Sequence, residues 1–283
     1  MRVLRTACAV AVLAACAGRA DATTITFSDF SSTAGLTLNG SAASTTTGDG
    51  AVMRLVPANF SQSGSVFSSA SINASNFSTA FTFRLTQPGG FCCDDSGDIG
   101  ADGFVFVVQN VNSSIGGGGG GMGYDGIGAS AGVEFDTWNN GSFVNDFDSN
   151  HLGIDTNGSV ASLATIGVAP NFDNGALWTA WIDYDGTNLE VRTNTTGVRP
   201  VAANLSLALN IPALLGGSTA FVGFSAGTGA DFANHDIVSW TYSDEFKPGG
   251  VDPGAAVPEP GTLFLLATGG MALVRRRARA RVQ

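Results

Sequence analysis

The chain has 283 residues, of which 39 are glycine and only 13% are charged. Residues 23–247 hold 5 basic and 20 acidic side chains, a net charge of about −15 at neutral pH. This balance excludes nucleic acid and anionic lipid as ligands and suits cations or neutral, polyhydroxylated molecules.

Residues 1–22 have the composition of a secretory signal peptide. Arg2 and Arg5 form a basic start, an apolar run covers residues 6–17, and Ala20-Asp21-Ala22 is a small-x-small cleavage site. The apolar run is too short to cross a bilayer. A second interpretation stays open, because Leu13-Ala14-Ala15-Cys16 also resembles a lipobox with Cys16 as the lipidated residue.

Short runs of strand-forming residues alternate with turn formers from Thr23 to Lys247. The clearest runs are, in chain order, 36–40, 51–56, 77–85, 101–108, 161–168, 178–184, 189–193, 219–226 and 236–242. Asn39-Gly40 is a turn signal, and Asp185-Gly186 predicts a hairpin between the runs at 178 and 189. Many short strands and no sustained helical period predict an all-β fold of two packed sheets, a sandwich or jelly roll.

Composition predicts one domain over residues 23–247, followed by a Gly- and Pro-rich linker at 248–256. Cys8 and Cys16 belong to the signal, so the domain keeps only the adjacent Cys92 and Cys93. Neighbouring cysteines form a strained bond that closes almost no loop. A vicinal disulfide, a free pair and an intermolecular link all remain open.

The stretch from Gly132 to Asp155 carries the strongest chemical signal. Glu134 and Asp136 are two apart in a strand-forming run, so both carboxylates point to one face. Asp146 and His151, one of only two histidines, follow after a loop of Asn, Gly, Asp and Ser. Carboxylate, amide and carbonyl oxygens suit Ca²⁺, and an added imidazole suits a transition metal.

This stretch resembles the metal-binding segment of the L-type (legume-type) lectins, in which Val-Glu-Phe-Asp-Thr-Tyr/Trp-x-Asn, an acidic loop and His-x-Gly-Ile-Asp follow one another. Further blocks resemble the family in family order: 36–40, 64–67, 77–83, 101–108, 181–186, 222–226 and 235–240. The resemblance implies a legume-lectin or concanavalin-like jelly-roll β-sandwich. His235, the second histidine, lies in the last block and is interpreted as structural.

The same resemblance implies two adjacent metal ions. The transition metal, typically Mn²⁺, would be held by Glu134, Asp136, Asp146 and His151. The Ca²⁺ would be held by Asp136, the carbonyl of Trp138, Asn140 and Asp146. Two departures from the family pattern are a loop one residue longer and Phe147 in place of proline after Asp146, which leaves Asp148 as a competing ligand.

A carbohydrate site beside the Ca²⁺ follows from the resemblance. Asp102 would accept bonds from sugar hydroxyls, with Asn140 as a further partner and a cis peptide bond before Asp102. A backbone N–H of Gly120 or Gly121 would donate, although the run of six glycines also reads as a flexible loop. Phe143 would stack on the sugar or pack within its loop. Gly229 and Ala230, in the last loop, would set specificity.

An enzyme is not expected. A hydrolase of this fold would use a Glu pair, but Glu134 is assigned to metal and Glu190 and Glu245 lie in unrelated contexts. The second candidate function is a structural or matrix protein that keeps the fold without useful sugar affinity.

The end of the chain resembles the PEP-CTERM sorting signal of Gram-negative bacteria. Val257-Pro-Glu-Pro precedes an apolar run at 262–274 and an arginine cluster at 275–281. The resemblance implies an exosortase partner that processes residues 257–283, transient anchoring in the inner membrane through this segment, and export to the cell surface or extracellular matrix.

Overall fold

The computed structural model describes residues 22–251, except residues 92, 94–96, 98, 112, 143 and 145. The predicted sorting segment, all but the last residue of the predicted signal, Cys92 and Phe143 therefore lie outside the described residues. Two antiparallel sheets of eight strands each pack face to face. This architecture confirms the predicted all-β jelly-roll sandwich.

The described residues form sixteen strands, separated by turns and loops. They are β1 Thr24–Phe27, β2 Leu36–Gly40, β3 Ala43–Thr47, β4 Gly50–Val56, β5 Ser63–Ser68, β6 Ile72–Asn73, β7 Phe77–Gly90, β8 Gly103–Gln109, β9 Ser130–Asp136, β10 His151–Thr156, β11 Ser159–Gly167, β12 Trp178–Tyr184, β13 Asn188–Asn194, β14 Leu205–Ala208, β15 Thr219–Gly227 and β16 Asp231–Ser243. The first sheet has the order β14-β13-β12-β7-β16-β4-β3, with β1 paired to β16. The second has the order β11-β10-β9-β8-β15-β5-β2, with β6 paired to β15.

Aromatic rings from both sheets fill the space between them. Phe81 and Phe83 of β7 meet Phe104 of β8 and Phe135 of β9, and the rings of Phe104 and Phe135 stack with centroids 4.6 Å apart. Alternation along β9 sends Phe135 into this core while Glu134 and Asp136 face the other way. The core thus fixes the face on which the polar residues of β9 appear.

One local prediction needs correction, and two turn predictions are confirmed. The sequence predicts no helix, but α1 spans Ile211–Leu215. Five residues are too few to show a helical period; Asn210 caps the first turn, and Gly216 ends the helix at φ +68°. The turn predicted at Asn39-Gly40 is confirmed at the end of β2; it links the two sheets, because β2 pairs with β5 and β3 with β4. The predicted Asp185-Gly186 hairpin is confirmed by the pairing of β12 with β13.

The two ends of strand β7 contact different parts of the chain. At its beginning, Ser78 Oγ accepts a hydrogen bond of 2.9 Å from the Lys247 backbone, and Val251 packs on Trp181 beside Ala80. At its far end, Gly90 pairs with Asp231. The C-terminal segment of the domain therefore lies on the opposite end of β7 from the loops described below. Within residues 22–251 as described, no helix has the length and hydropathy needed to cross a membrane.

Candidate functional site

Adjacent strands of the second sheet bring the predicted metal ligands together. β9 and β10 are antiparallel, with His151 opposite Asp136 and Gly153 opposite Glu134. His151 Nε2 lies 3.3 Å from Glu134 Oε1. Ligand atoms of Asp136, Asp146 and His151 lie within 4.8 Å of one another, and all three residues are buried.

The loop between β9 and β10 places Asp146 and Asp148 on different nitrogens of the imidazole. Asp146 Oδ1 lies 3.7 Å from His151 Nε2, on the side of Glu134, whereas Asp148 Oδ1 lies 3.4 Å from Nδ1. The Asp146 side chain is buried, but that of Asp148 is 37% exposed. This geometry favours Asp146 as the ligand and leaves Asp148 to orient the ring, as outer carboxylates do at metal-bound histidines.

Three backbone groups hold the same loop in place. Asp136 Oδ1 accepts from the Trp138 N–H at 2.6 Å, and Asp146 Oδ2 accepts from the Asn140 N–H at 2.6 Å. The Asn140 side-chain amide lies 3.3 Å from the Trp138 carbonyl oxygen. A half-turn of that amide would set its oxygen beside the carbonyl and the carboxylates, a set of oxygen donors suited to Ca²⁺.

Two residues that the sequence analysis missed lie beneath the cluster. Ser162 Oγ lies 2.5 Å from Glu134 Oε1 and 2.8 Å from Asp155 Oδ1. Burial, followed by the charge of Glu134, raises the pKa of Asp155. Asp155 shares the alternating face of His151 and Gly153, which was a usable signal. Ser162 becomes visible only once the pairing of β10 with β11 is known.

No lysine or arginine balances these buried carboxylates. Residues 22–251 hold five Lys and Arg, and each pairs with an acid outside the cluster: Arg54 with Asp236, Arg84 with Asp49, Arg192 with Asp183 and Glu190, Arg199 with Asp183, and Lys247 with Glu245. Burial and then the charges of Glu134 and Asp146 raise the pKa of Asp136. Burial also raises the pKa of Asp146, to about 6. Burial lowers the pKa of His151, but the surrounding carboxylates outweigh it and raise that pKa. These carboxylates and His151 could therefore hold bound cations.

Space and donor chemistry also fit a metal. A Cβ added to Gly153 would lie 1.9 Å from Glu134 Oε1, so glycine keeps this face of β10 open. Glu134 Oε2 is buried without a hydrogen-bond partner among the described residues. Carboxylates with one imidazole are a suitable donor set for a divalent transition ion.

Asp102 lies next to this cluster, at the start of β8. The Ala101–Asp102 peptide bond is cis, as predicted. The Asp102 carbonyl accepts from the Thr137 N–H at 3.1 Å, and its own N–H donates to Gly227 at 3.2 Å. The carboxylate is buried, and burial with the charge of Asp231 raises its pKa to about 7. Oδ2 has no hydrogen-bond partner among the described groups, so this side chain can accept bonds from a ligand.

The glycine run and the last loop converge on Asp102 and Asn140. Gly119–Gly121 form a 3-10 turn, and a Cβ on Gly120 would lie 2.5 Å from Asn140 Oδ1. A Cβ on Gly229 would lie 3.4 Å from Asp102 Oδ2. The Gly121 N–H already donates to Gly118 at 3.1 Å, which makes Gly120 the better donor for a ligand.

A cleft of about 380 Å³ opens beside Asn140. Its lining consists of Gly120, Gly121, Asp125, Asn140, Val144, Ser159, Val160 and Ala161. Asp102 does not line this cleft; it lies beside Gly229, where the loops meet. Ala230, the next residue of that loop, is exposed. His235 lies apart in β16, fully buried, and burial together with Arg54 lowers its pKa to about 3.

Comparison with known families agrees with this geometry. A model of the legume lectin domain matches residues 22–254. The chain belongs to the legume lectin family. The family supports carbohydrate binding and confirms the prediction that the domain is a lectin rather than an enzyme.

Known relatives match over the lectin domain. Favin from Vicia faba is 30% identical over 190 residues, which cover 64% of this chain and 75% of favin. A lectin from Lens culinaris subsp. orientalis is 33% identical over 61% of this chain and 63% of its own. The L-type lectin-domain containing receptor kinase VIII.1 of Arabidopsis thaliana is 31% identical over 75% of this chain, but the match spans only 29% of the kinase.

Solved lectin structures superpose on the domain. Basic winged bean lectin with Tn-antigen has a TM-score of 0.65 at 25% identity and covers 79% of this chain and 98% of its own. Peanut lectin with a 9mer peptide has a TM-score of 0.64 at 26% identity and covers 79% and 97%. A PEP-CTERM protein-sorting motif matches residues 256–279, which confirms the second resemblance and indicates an exported protein.

The stabilisation of the lectin domain by metal is expected to shrink as the pH falls from about 7.5 to about 5, because protons compete with metal for carboxylates. The folded pKa of Asp146, about 6, lies above its ordinary value of 3.8. The metal-free folded domain therefore binds more protons than the unfolded chain in this range, and acid raises its free energy of unfolding. Acid raises the free energy of unfolding of the metal-loaded domain by less, because its ligands stay deprotonated.

The measurement is the difference in Tm between metal-loaded and chelated domain across this pH range. His235 acts in the opposite direction, because its folded pKa of about 3 lies below 6.5 and acid destabilises the domain through it. That effect is common to both samples and cancels in the difference. A Tm difference that stays constant with pH would contradict the assignment of these carboxylates to metal.

Proposed function

We propose that this lectin domain is exported and binds carbohydrate beside a pair of metal ions, Ca²⁺ and a divalent transition ion such as Mn²⁺. The observation that carries the proposal is the buried carboxylate cluster, which has no Lys or Arg counter-charge and adjoins the buried Asp102, whose Oδ2 has no hydrogen-bond partner among the described residues. Such a cluster suits bound cations, and the convergence of loops around Asp102 provides polar groups for a ligand.

The proposed ligand sets are those that the family resemblance implies, and the clustering of Asp136, Asp146 and His151 supports them. Glu134, Asp136, Asp146 and His151 would hold the transition ion. Asp136, the Trp138 carbonyl, Asn140 and Asp146 would hold Ca²⁺. When bound, the ions neutralise the carboxylates and fix the loop that carries Asn140.

The sugar would lie where Asp102, Asn140 and the loops around Gly120 and Gly229 meet. Asp102 accepts from hydroxyls, the Asn140 amide donates, and the Gly120 N–H adds a backbone donor. Such fixed polar groups orient a neutral ligand in a shallow site. Phe143 and Ala230 complete the proposed contacts. Solved complexes of basic winged bean lectin with Tn-antigen and of lectin UEA-II with galactose support carbohydrate as the ligand class.

A glycan array probed with metal-loaded domain, with and without chelator, tests the proposal. We expect binding to a defined set of neutral glycans, its loss on chelation, and its return when Ca²⁺ and Mn²⁺ are added. A metal-loaded, folded domain that binds no glycan would instead support a matrix protein. Hydrolysis finds no support in the geometry, since Glu190 pairs with Arg192 at 2.8 Å and Glu245 with Lys247 at 2.7 Å.

The sorting motif is expected to be removed during export by an exosortase of a Gram-negative bacterium, after transient anchoring in the inner membrane. The mature protein at the cell surface or in the extracellular matrix should then lack the arginine cluster at 275–281. Intact mass of the exported protein measures this directly, with a variant carrying Pro258→Ala and Pro260→Ala as the uncleaved control. A mature form that still ends at Gln283 would contradict processing.

A further inference from the structure

Three phenylalanine rings form an exposed stack beside the proposed sugar site. Phe60 follows β4, Phe91 follows β7, and Phe232 lies in β16; together they are called the aromatic platform. Phe60 stacks on Phe91 with centroids 4.8 Å apart and an interplanar angle of 13°. Phe232 meets Phe60 edge-on, also at 4.8 Å. Phe91 is 80% exposed, so the face turned away from Phe60 is open to solvent.

The stack is supported from below. A Cβ on Gly89 would lie 2.7 Å from Phe232, so glycine lets that ring lie flat against β7. The loop that carries Phe60 is fixed by hydrogen bonds, because the Gln62 N–H donates to Thr228 Oγ1 at 2.9 Å and Thr228 Oγ1 donates to the Asn59 carbonyl at 2.7 Å. Single exposed apolar side chains are ordinary on a protein surface, but three aromatic rings in mutual contact form a contiguous patch, and contiguous apolar patches mark binding surfaces.

The platform is continuous with the proposed sugar site. The Ser61 N–H donates to the Gly229 carbonyl at 3.0 Å, and Gly229 is the glycine that borders Asp102. Phe232 directly follows Asp231, whose charge acts on Asp102. On the Phe91 side, a Cβ on Gly90 would lie 1.7 Å from Asp231 Oδ1, so the residues that precede Phe91 and Phe232 touch each other beside Asp102.

We propose that the aromatic platform is a second subsite, on which the next residue of a neutral oligosaccharide stacks while its terminal sugar contacts Asp102. This inference rests on the proposed carbohydrate-binding function. A pyranose has an apolar face that packs against an aromatic ring, and its hydroxyls remain free for polar groups nearby. The neighbouring Asp102 and Asp231, with the strongly acidic domain around them, disfavour anionic lipid or a second copy of the chain.

The test compares single sugars with oligosaccharides that carry the same terminal sugar, using glycans terminated by glucose, mannose, galactose or N-acetylgalactosamine. Phe91→Ala is expected to lower affinity for the oligosaccharide about tenfold, the size of an aromatic contact, and to leave the single sugar unchanged. Phe91→Trp should keep or raise oligosaccharide affinity. Phe246→Ala is the matched control, because Phe246 is 42% exposed and lies by Asn76, at the other end of β7.

Several outcomes would overturn the subsite. Unchanged oligosaccharide affinity in Phe91→Ala shows that the ring is not used, and equal losses for both ligands place it in the first sugar's site. Loss of phosphatidylcholine vesicle binding or of self-association, with glycan binding intact, assigns the platform to lipid or to a second copy. Asp102→Ala separates the two proposals, because it should abolish binding of both the single sugar and the oligosaccharide. If Phe91→Ala leaves oligosaccharide affinity unchanged while Asp102→Ala abolishes binding, only the subsite is wrong and the proposed sugar site stands. A parent that binds no glycan overturns both.

Discussion

Asp136→Ala is expected to release both metal ions and, with them, all glycan binding. Asp136 is proposed, like Asp146, to contact both ions, and its Oδ1 also accepts a hydrogen bond of 2.6 Å from the Trp138 N–H. Loss of a direct ligand should exceed the roughly 10–100-fold fall in metal affinity typical of outer-shell changes. Metal content by mass spectrometry of the purified domain, together with glycan binding, measures the effect.

Asp148→Ala is the matched control for that experiment. It removes a carboxylate from the same loop, but one that lies 3.4 Å from His151 Nδ1 and is 37% exposed. We expect both ions to stay bound, with metal affinity lowered by no more than about 10–100-fold. If Asp148→Ala lost the metals while Asp136→Ala retained them, the ligand assignment would be wrong.

Asp102→Ala is expected to abolish glycan binding while both metals remain. Each hydrogen bond to a charged group contributes roughly 1.5–3 kcal/mol, so the loss of bonds to two sugar hydroxyls should lower affinity by at least about 100-fold, which leaves no detectable binding. Removing the carboxyl also relieves its charge on Asp136, so metal-free domain should unfold at the same or a higher temperature. Titration calorimetry with the best glycan from the array, and metal analysis of the same sample, measure both effects.

Asp102→Asn serves as the conservative variant. It keeps the shape of the side chain and one acceptor, and it should recover part of the affinity lost in Asp102→Ala. Binding by Asp102→Ala at parental affinity would place the sugar site elsewhere on the domain, whatever the metals do.

The clustering of the predicted metal ligands could be foreseen from sequence because much of their geometry follows from local rules. Strand alternation places Glu134 and Asp136 on one face, and the register of β9 with β10 sets His151 opposite Asp136. The preference for Asp146 over Asp148 rests in the sequence on the family spacing of five residues before the histidine, and the burial of Asp146 beside His151 Nε2 supports it. Ser162, by contrast, needed the pairing of β11, because sequence gives no distance across neighbouring strands.

The aromatic platform could not be foreseen for a related reason. Phe60, Phe91 and Phe232 belong to three segments far apart in sequence, and each alone looks like an ordinary apolar residue in a turn or strand. Their contact depends on the antiparallel pairing of β7 with β16 and on the absence of a side chain at Gly89. Long-range packing of this kind appears only when the fold is known.

The position of the C-terminal segment at the beginning of β7 has a consequence for how the protein is displayed. From Ser78 to Gly90 the strand extends roughly 40 Å at 3.3 Å per residue, and the binding loops lie at the far end. Copies attached to a surface through their sorted C-termini would all present these loops away from that surface, in the same orientation. A repeating polysaccharide could then engage several neighbours at once, and avidity would let individually weak sites retain it.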